Sequence, residues 1–303
     1  MSSRYDLHPI YILAPPYHER SGGIRALYRL CHHLNKAGFH AFMVSSPYQA
    51  PSSLEAPPLA EEQRQEHLSR GCKPIGVCGE CEIGNPLDTS IVVRYLLNTP
   101  GWFQPLAPSS FGDHDFFLHF DDAHVPAERR SIDLFMPVVN RTIYHLSEHQ
   151  GKRHGYLLLS HRAALDKLEP PSWVRPLVTV TMENPLAHEE LARLYRRCRA
   201  MITLERGVAI FESLCCGCPV ICIPGPKFTP ETYQRRFRGA GLAWGWSQVE
   251  LATASARTGE FLHLYQKLER GVTGRVHQVF NDIIDKASQR SRLMSLPMLR
   301  AAS

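Results

Sequence analysis

The chain lacks several features, and each absence removes a class of protein. No apolar run approaches the ~20 residues needed to cross a bilayer. The N-terminus shows no secretory pattern and passes from a polar start straight into His8-Pro9-Ile10-Tyr11-Ile12-Leu13. The expectation is a cytoplasmic protein with at most a peripheral membrane contact. Charge of one sign is also scarce: 34 Lys and Arg against 29 Asp and Glu leave a net +5. That balance suits an anionic small molecule or an anionic lipid surface and is too weak for a nucleic-acid partner. Basic pairs such as Arg196-Arg197 and Arg235-Arg236 read as solvated helix faces. No internal repeat is present. No dinucleotide fingerprint ends on an acidic residue either, because the second expected strand closes with Val44-Ser45-Ser46-Pro47. A nucleotide-dependent epimerase or methyltransferase therefore ranks last. The nine cysteines have no export signal beside them and read as reduced thiols, not as a disulfide framework. Cys78 and Cys81 form a C-x2-C pair with Cys72 and His67 nearby, but a second tight pair is missing. Free thiols around a turn are expected there, with zinc as the alternative, and no metal is assigned.

What is present is an ordinary globular composition, 44% hydrophobic and 21% charged, over 303 residues, enough for two domains. Strand and helix patterns alternate. Ile10 to Ala14 reads as a strand, Ser21-Gly22-Gly23 opens a helix with Ile24, Leu27, Leu30, Cys31 and Leu34 inward, and Phe39 to Ser45 is the next strand. Bare amides at Gly22 and Gly23 can approach an anion at a helix start, although a Gly-Gly pair alone also makes a tight turn. Residues 48 to 70 read as a loop and surface segment. Gly84-Asn85-Pro86-Leu87 is a turn leading into an expected helix with Val92, Val93, Tyr95 and Leu96, on which Arg94 is either exposed or cleft-facing. Phe116 to Phe120 is a strand ending near His119, either a structural histidine or a hydrogen-bond donor to a sugar hydroxyl. A fresh buried strand at Gly155 to Leu159 marks the second half, which continues with a strand at Val178 to Thr181, a helix at His188 to Arg197 and a strand at Ala200 to Thr203. The expected division is 1–150, 151–287 with a terminal helix over Phe261 to Ala287, and a flexible tail at 288–303.

The most informative stretch is TLERGVAIFESLCCGCPVICIPG, residues 203 to 225. Val208 to Cys216 is apolar on nearly every face and reads as a helix buried on most sides. Gly217 can supply a left-handed stop and Pro219 forbids continuation. Val220 to Ile223 then reads as a strand buried on both faces of a parallel sheet. One carboxylate, Glu212, sits inside this helix. Its burial demands a local partner or a polar ligand, and a ribose with two adjacent hydroxyls would suit it.

Glu212 followed by Ser-Leu-Cys-Cys and Gly217-Cys218-Pro219-Val220-Ile221 resembles the donor-site signature of the retaining, GT4-type GT-B glycosyltransferases. The run GNPLDTSIVVRYLLNTPG, residues 84 to 101, is similar to a segment of bacterial surface-polysaccharide glycosyltransferases. The family pattern has seven residues between its two glutamates. Here Glu205 and Glu212 are separated by six, and Leu204 holds the matching position. The resemblance implies two Rossmann-like α/β domains with parallel sheets facing a central cleft. The N-terminal domain would lie on the acceptor side, and the C-terminal domain would bind a nucleotide-sugar donor.

For the site, the resemblance implies that Arg162, Lys167, Gly207 and Val208 meet the donor diphosphate, with Gly22 and Gly23 close by. Glu212 would take the ribose hydroxyls, and Glu205 the transferred sugar, with Arg162 and His119 beside the reaction. It further implies a glycan or lipid-linked acceptor, retention of anomeric configuration, and neither cofactor nor metal. The setting it implies is bacterial surface-polysaccharide synthesis. A non-catalytic relative that binds nucleotide sugar, or pairs with a catalytic partner, is the alternative.

Overall fold

The computed structural model describes residues 5–101, 105–106, 110–125, 129–146, 151–160, 168–226 and 228–295. It separates into two compact units, Met1–Met136 with Arg270–Ser303, and Pro137–Glu269.

The first unit is built on a six-stranded sheet in the order β2-β1-β3-β4-β5-β6. Its strands are β1 (Ile10–Leu13), β2 (Ala41–Val44), β3 (Ile75–Gly79), β4 (Ile91–Leu96), β5 (Phe116–His119) and β6 (Ile132–Asp133). Every pairing is parallel. Central strands of such a sheet are covered on both faces, which is why their sequences are continuously apolar. Two helices, α1 (Gly22–Lys36) and α2 (Glu61–Ser69), belong to this unit. Ser21 caps α1, its hydroxyl accepting from the Ile24 N–H at 3.3 Å. Leu27, Leu30, Cys31 and Leu34 are buried from that helix, as its apolar spacing requires.

Two expectations fail in this unit. Residues 91–96 form a strand, not a helix, with Val93 opposite Val77 on one side and Phe116 on the other. The β-branched run Ile91-Val92-Val93 fits a pleated, doubly covered surface, and short apolar runs do not reveal their own period. Arg94 is neither exposed nor cleft-facing, because it lies wholly inside. Its Nε donates to Asp115 Oδ2 at 2.7 Å and Nη1 to the Glu82 carbonyl at 3.0 Å, while Nη2 donates to the Gly84 carbonyl. The thiols of the C-x2-C pair are free and flank a turn at Glu80 and Cys81, as expected, with Cys78 buried near the end of β3. Within the 48–70 loop and surface segment, residues 61–69 form α2, a polar helix whose only buried residue is His67.

The second unit carries a five-stranded parallel sheet in the order β11-β10-β9-β7-β8. Its elements are β7 (Tyr156–Ser160), β8 (Leu177–Thr181), α3 (His188–Arg197), β9 (Ala200–Thr203), α4 (Val208–Cys215), β10 (Val220–Cys222), α5 (Gln234–Phe237), β11 (Leu242–Trp244) and α6 (Gln248–Ala256). The final helix, α7 (Thr258–Ser295), begins here, and its residues from Arg270 belong to the first unit. Leu242 to Trp244 forms the outer strand β11, pairing Ile221 with Ala243.

The loop–helix–stop–strand order of 203–225 is borne out. Gly217 takes φ +69° and donates its N–H to the Leu214 carbonyl at 2.9 Å, closing α4 with a left-handed residue. The apolar faces of α4 are accounted for by neighbours on more than one side. Phe211 packs within 5.3 Å of the Phe237 ring and 6.1 Å of the Phe261 ring, while α3 covers another face. Arg153 ties the base of this layer together. Its Nη1 donates to the Tyr195 and Cys198 carbonyls at 2.6 and 3.0 Å, and its Nη2 to the Cys216 carbonyl at 2.9 Å.

Candidate functional site

In an open parallel sheet, ligands bind beyond the carboxyl ends of the strands, where the chain leaves neighbouring strands in opposite directions. Each sheet here has one such point. In the second sheet the chain starts centrally at β7, crosses to β8 on one side and then to β9 on the other. The switch therefore lies between the carboxyl ends of β7 and β9, at Ser160 and Thr203. The segment after Thr203 is Leu204-Glu205-Arg206-Gly207, followed at once by α4. Arg162 and Lys167, which follow Ser160 in the chain, lie outside the described residues.

The Glu205 segment is held by its own strand end. The Glu205 N–H donates to Thr203 Oγ1 at 3.3 Å, and that hydroxyl donates to the Glu205 carbonyl at 3.2 Å. Its predecessor Leu204 packs against the core cluster of Tyr156, Leu158, Ile202 and Ile221. This explains the apolar residue at the position where the family pattern has its first glutamate: Leu204 faces the core, and Glu205 is the first carboxylate beyond it. Gly207 caps α4 in an extended conformation and is exposed, and no atom lies within 4 Å of where a side chain would start. With Val208 beginning the helix, the amides of its first turn carry the positive end of the helix dipole, the Ile210 N–H donating to the Gly207 carbonyl at 3.2 Å.

Glu212 sits one turn further along α4 and is only 4% exposed. Its neighbour across the α3 contact is Tyr195, which is fully buried with a hydroxyl that has no hydrogen-bond partner among the described residues. Burial, reinforced by the Glu212 carboxylate, pushes the Tyr195 phenol well above its usual range. Tyr144 approaches the same ring and is hydrogen-bonded to His188 Nδ1 at 2.6 Å. The Glu212 charge thus acts on a tyrosine of α3 that lies 17 positions away, a neighbour that the sequence does not reveal.

The first sheet switches between β1 and β3, since the chain goes from β1 to β2 on one side and then to β3 on the other. The helix start at Gly22 and Gly23 follows β1. A side chain on Gly23 would meet Leu97 at 3.6 Å, an ordinary contact, so the glycine leaves open space beside Leu97 without being sterically required. Glu80, at the end of β3, went unnoticed in the sequence because it was read as the inside of a cysteine pair. It is 6% exposed, and Oε2 accepts the Leu97 N–H at 3.0 Å. Burial raises its pKa above the usual carboxylate range, against the pull of the backbone N–H groups that it accepts.

His119 ends β5 and is 5% exposed. Its Nε2 donates to Asp122 Oδ1 at 3.0 Å, and its Nδ1 accepts from the Ser131 hydroxyl at 2.7 Å. Both ring nitrogens are occupied within the unit. Around the C-x2-C pair, His67 is hydrogen-bonded to the Tyr11 hydroxyl at 2.8 Å and Cys72 donates to the Asp6 carbonyl at 3.3 Å. Among the described residues, no group of three or more His, Cys, Asp or Glu is arranged to hold a metal ion.

No protein-family model matches the chain, and no curated protein matches its sequence. Solved structures do match. AviGT4, a glycosyltransferase involved in avilamycin A biosynthesis, superposes with a TM-score of 0.51 at 11% identity, over 93% of this chain and 98% of that one. WaaG, a glycosyltransferase involved in lipopolysaccharide biosynthesis, gives 0.51 at 12% identity, over 91% and 99%. The fold is GT-B. At such identities the likeness is one of fold, and it agrees with two parallel sheets of six and five strands. No described helix is long and apolar enough to cross a membrane.

Proposed function

We propose that this chain is a glycosyltransferase that moves a sugar from a nucleoside-diphosphate donor to a hydroxyl of a glycan or lipid-linked acceptor. The observation that carries this reading is the coincidence of two independent pointers. The GT4-like motif at 203–225 falls on the β9 side of the switch point that topology alone selects in the second sheet. In this reading the donor diphosphate lies at the Gly207-Val208 helix start, with Arg162 and Lys167 supplying counter-charge. Glu212 accepts from the ribose hydroxyls and Glu205 from hydroxyls of the transferred sugar, while His119, Gly22 and Gly23 line the acceptor-side unit. The bond from the anomeric carbon to phosphate oxygen breaks, and the nucleoside diphosphate leaves with the electron pair. The acceptor oxygen forms the new bond and loses its proton. Charge on the leaving diphosphate is what the protein must stabilise, and cationic side chains with helix amides do so without a resident metal or cofactor. Retention of configuration, membership of the GT4 type and a role in bacterial surface-polysaccharide synthesis, in the cytoplasm at the inner-membrane surface, are part of the same proposal. They rest on the motif resemblance.

The test is isothermal titration with a panel of nucleoside diphosphates, repeated on Glu212→Ala. Selective binding of one nucleotide, weakened about tenfold or more in the variant, is expected. Removing a charged hydrogen-bond acceptor costs ~1.5–3 kcal/mol. Absence of binding by every nucleotide would sink the reading. A second reading, a nucleotide-sugar binder that transfers nothing, is favoured by Leu204 facing the core in place of the family's first glutamate. Glu205→Gln separates the two: turnover is lost in a transferase, and nucleotide binding is untouched in either case.

A further inference from the structure

The opposite edge of the second sheet, where its strands begin, carries a different chemistry. Two adjoining cavities of about 540 and 500 Å³ open there and share Lys152, His154, Gly155 and Pro176 in their walls. The first adds Arg175 and Arg199, and the second adds Arg193 and Arg197. Neither wall includes an aspartate or glutamate.

Some of the basic residues here have structural work. Arg153 is spent on three carbonyls, and Arg196 donates to the Ile143 carbonyl at 3.0 Å. Arg196 and Arg197 also complement the carboxyl end of the α3 dipole. Arg199 also lies over the Tyr156 ring at 5.8 Å, and the account does not reach Lys152 and Arg175; the three come from separate strand approaches, before β7, β8 and β9. Lys152, Arg175, Arg193, Arg197 and Arg199 are all exposed, and none has a carboxylate partner among the described residues. Bringing them together costs mutual repulsion that the fold does not require. In a chain of net charge only +5, this is a local concentration that a polyanion relieves.

We propose that this edge is a binding site for a ligand bearing two closely spaced phosphate groups, separate from the donor site at the carboxyl ends of the same strands. Guanidinium groups suit phosphate because their planar N–H pairs match two oxygens at once. The position at the far edge of the sheet makes the ligand an effector or a tether, not a reactant. Exposed Val178 lines the second cavity, so the phosphates belong either to a free soluble molecule or to a lipid headgroup.

The experiment is a titration of the full chain with inorganic diphosphate, run beside Arg162→Gln, which removes a donor-site cation and leaves this edge intact. It is repeated on Lys152→Gln/Arg175→Gln and on Arg193→Gln/Arg197→Gln, whose exposed side chains leave the core untouched. Saturable binding weakened at least tenfold in both variants, with unchanged thermal melting, is expected. Pelleting with vesicles of cardiolipin, whose headgroup carries two phosphates, but not with phosphatidylcholine vesicles, lost in the same variants, assigns the phosphates to a lipid. Diphosphate binding without pelleting assigns them to a soluble ligand. If neither diphosphate nor vesicles bind, or if both variants bind as the parent does, the proposal is overturned.

Discussion

Arg94 shows how far a single residue can depart from its local context. It follows three β-branched apolar residues and sits at the centre of the first sheet, where a lone guanidinium would be prohibitively costly. It is tolerated because Asp115 and two loop carbonyls satisfy it, and because it lies over the Phe111 ring at 5.3 Å. The same contacts tie the 82–84 turn to the loop before β5. Arg94→Met leaves the Asp115 carboxylate buried and uncompensated, and the expected loss is about 3–5 kcal/mol. Urea unfolding of Arg94→Met against the parent measures it. A loss below 1 kcal/mol would mean that the pair is solvated. Arg94→Lys is expected to restore only part of the loss, because an ammonium has no fork to reach all three acceptors. Glu212 and Leu204 belong at this scale too. One buried carboxylate and one inward leucine decide how the motif at 203–225 is to be read.

Among the elements, α1 and α4 were legible because their signals are local. Ser21 before an apolar spacing of three and four is a capped helix start, and Gly217-Cys218-Pro219 is a helix stop followed by a strand. The cap on α1 has a measurable consequence. Ser21→Ala removes the acceptor for the Ile24 N–H and is expected to cost about 1 kcal/mol. Ser21→Asn should recover most of it, and thermal melting of the two variants distinguishes loss of the cap from loss of packing. β4 and β11 were illegible for the opposite reason. A six-residue run with five apolar side chains does not state whether its neighbours are one turn or one strand away. Three residues between Gly241 and Gly245 become a strand only because β10 offers an unpaired edge.

For the whole molecule, titration sets a window of stability with a defined sign on each side. His33 is held at a pKa of about 4 by burial and by neighbouring His32 and basic groups. The unfolded chain therefore takes up more protons below about 6.5, and stability is lost as pH falls toward 4. Burial pushes the thiols of Cys78 and Cys216 to about 11, and those of Cys215 and Cys218 to about 12. Above about 8.5 the unfolded thiols ionise while the folded ones keep their protons, so stability falls again as pH rises toward 11 to 12. The urea midpoint is expected to be highest between about pH 6.5 and 8.5. A midpoint still climbing at pH 10 would contradict the burial of these thiols.

Taken alone, the sequence determined the alternation of strand and helix, the capped start of α1, and the loop–helix–strand order of 203–225. These depend on residues within a few positions of one another, through side-chain period, caps and backbone stops. The tertiary structure alone decided that Arg94 pairs with Asp115, that Glu80 anchors the Leu97 backbone, and that Tyr195 faces Glu212. It alone placed Thr203 beside the end of β7 and collected the cations of three strand approaches at one edge. Each of these rests on strand order and helix packing across tens of residues. A parallel sheet sets those only when the whole unit has folded, because each pairing closes a long loop whose entropy no local pattern records.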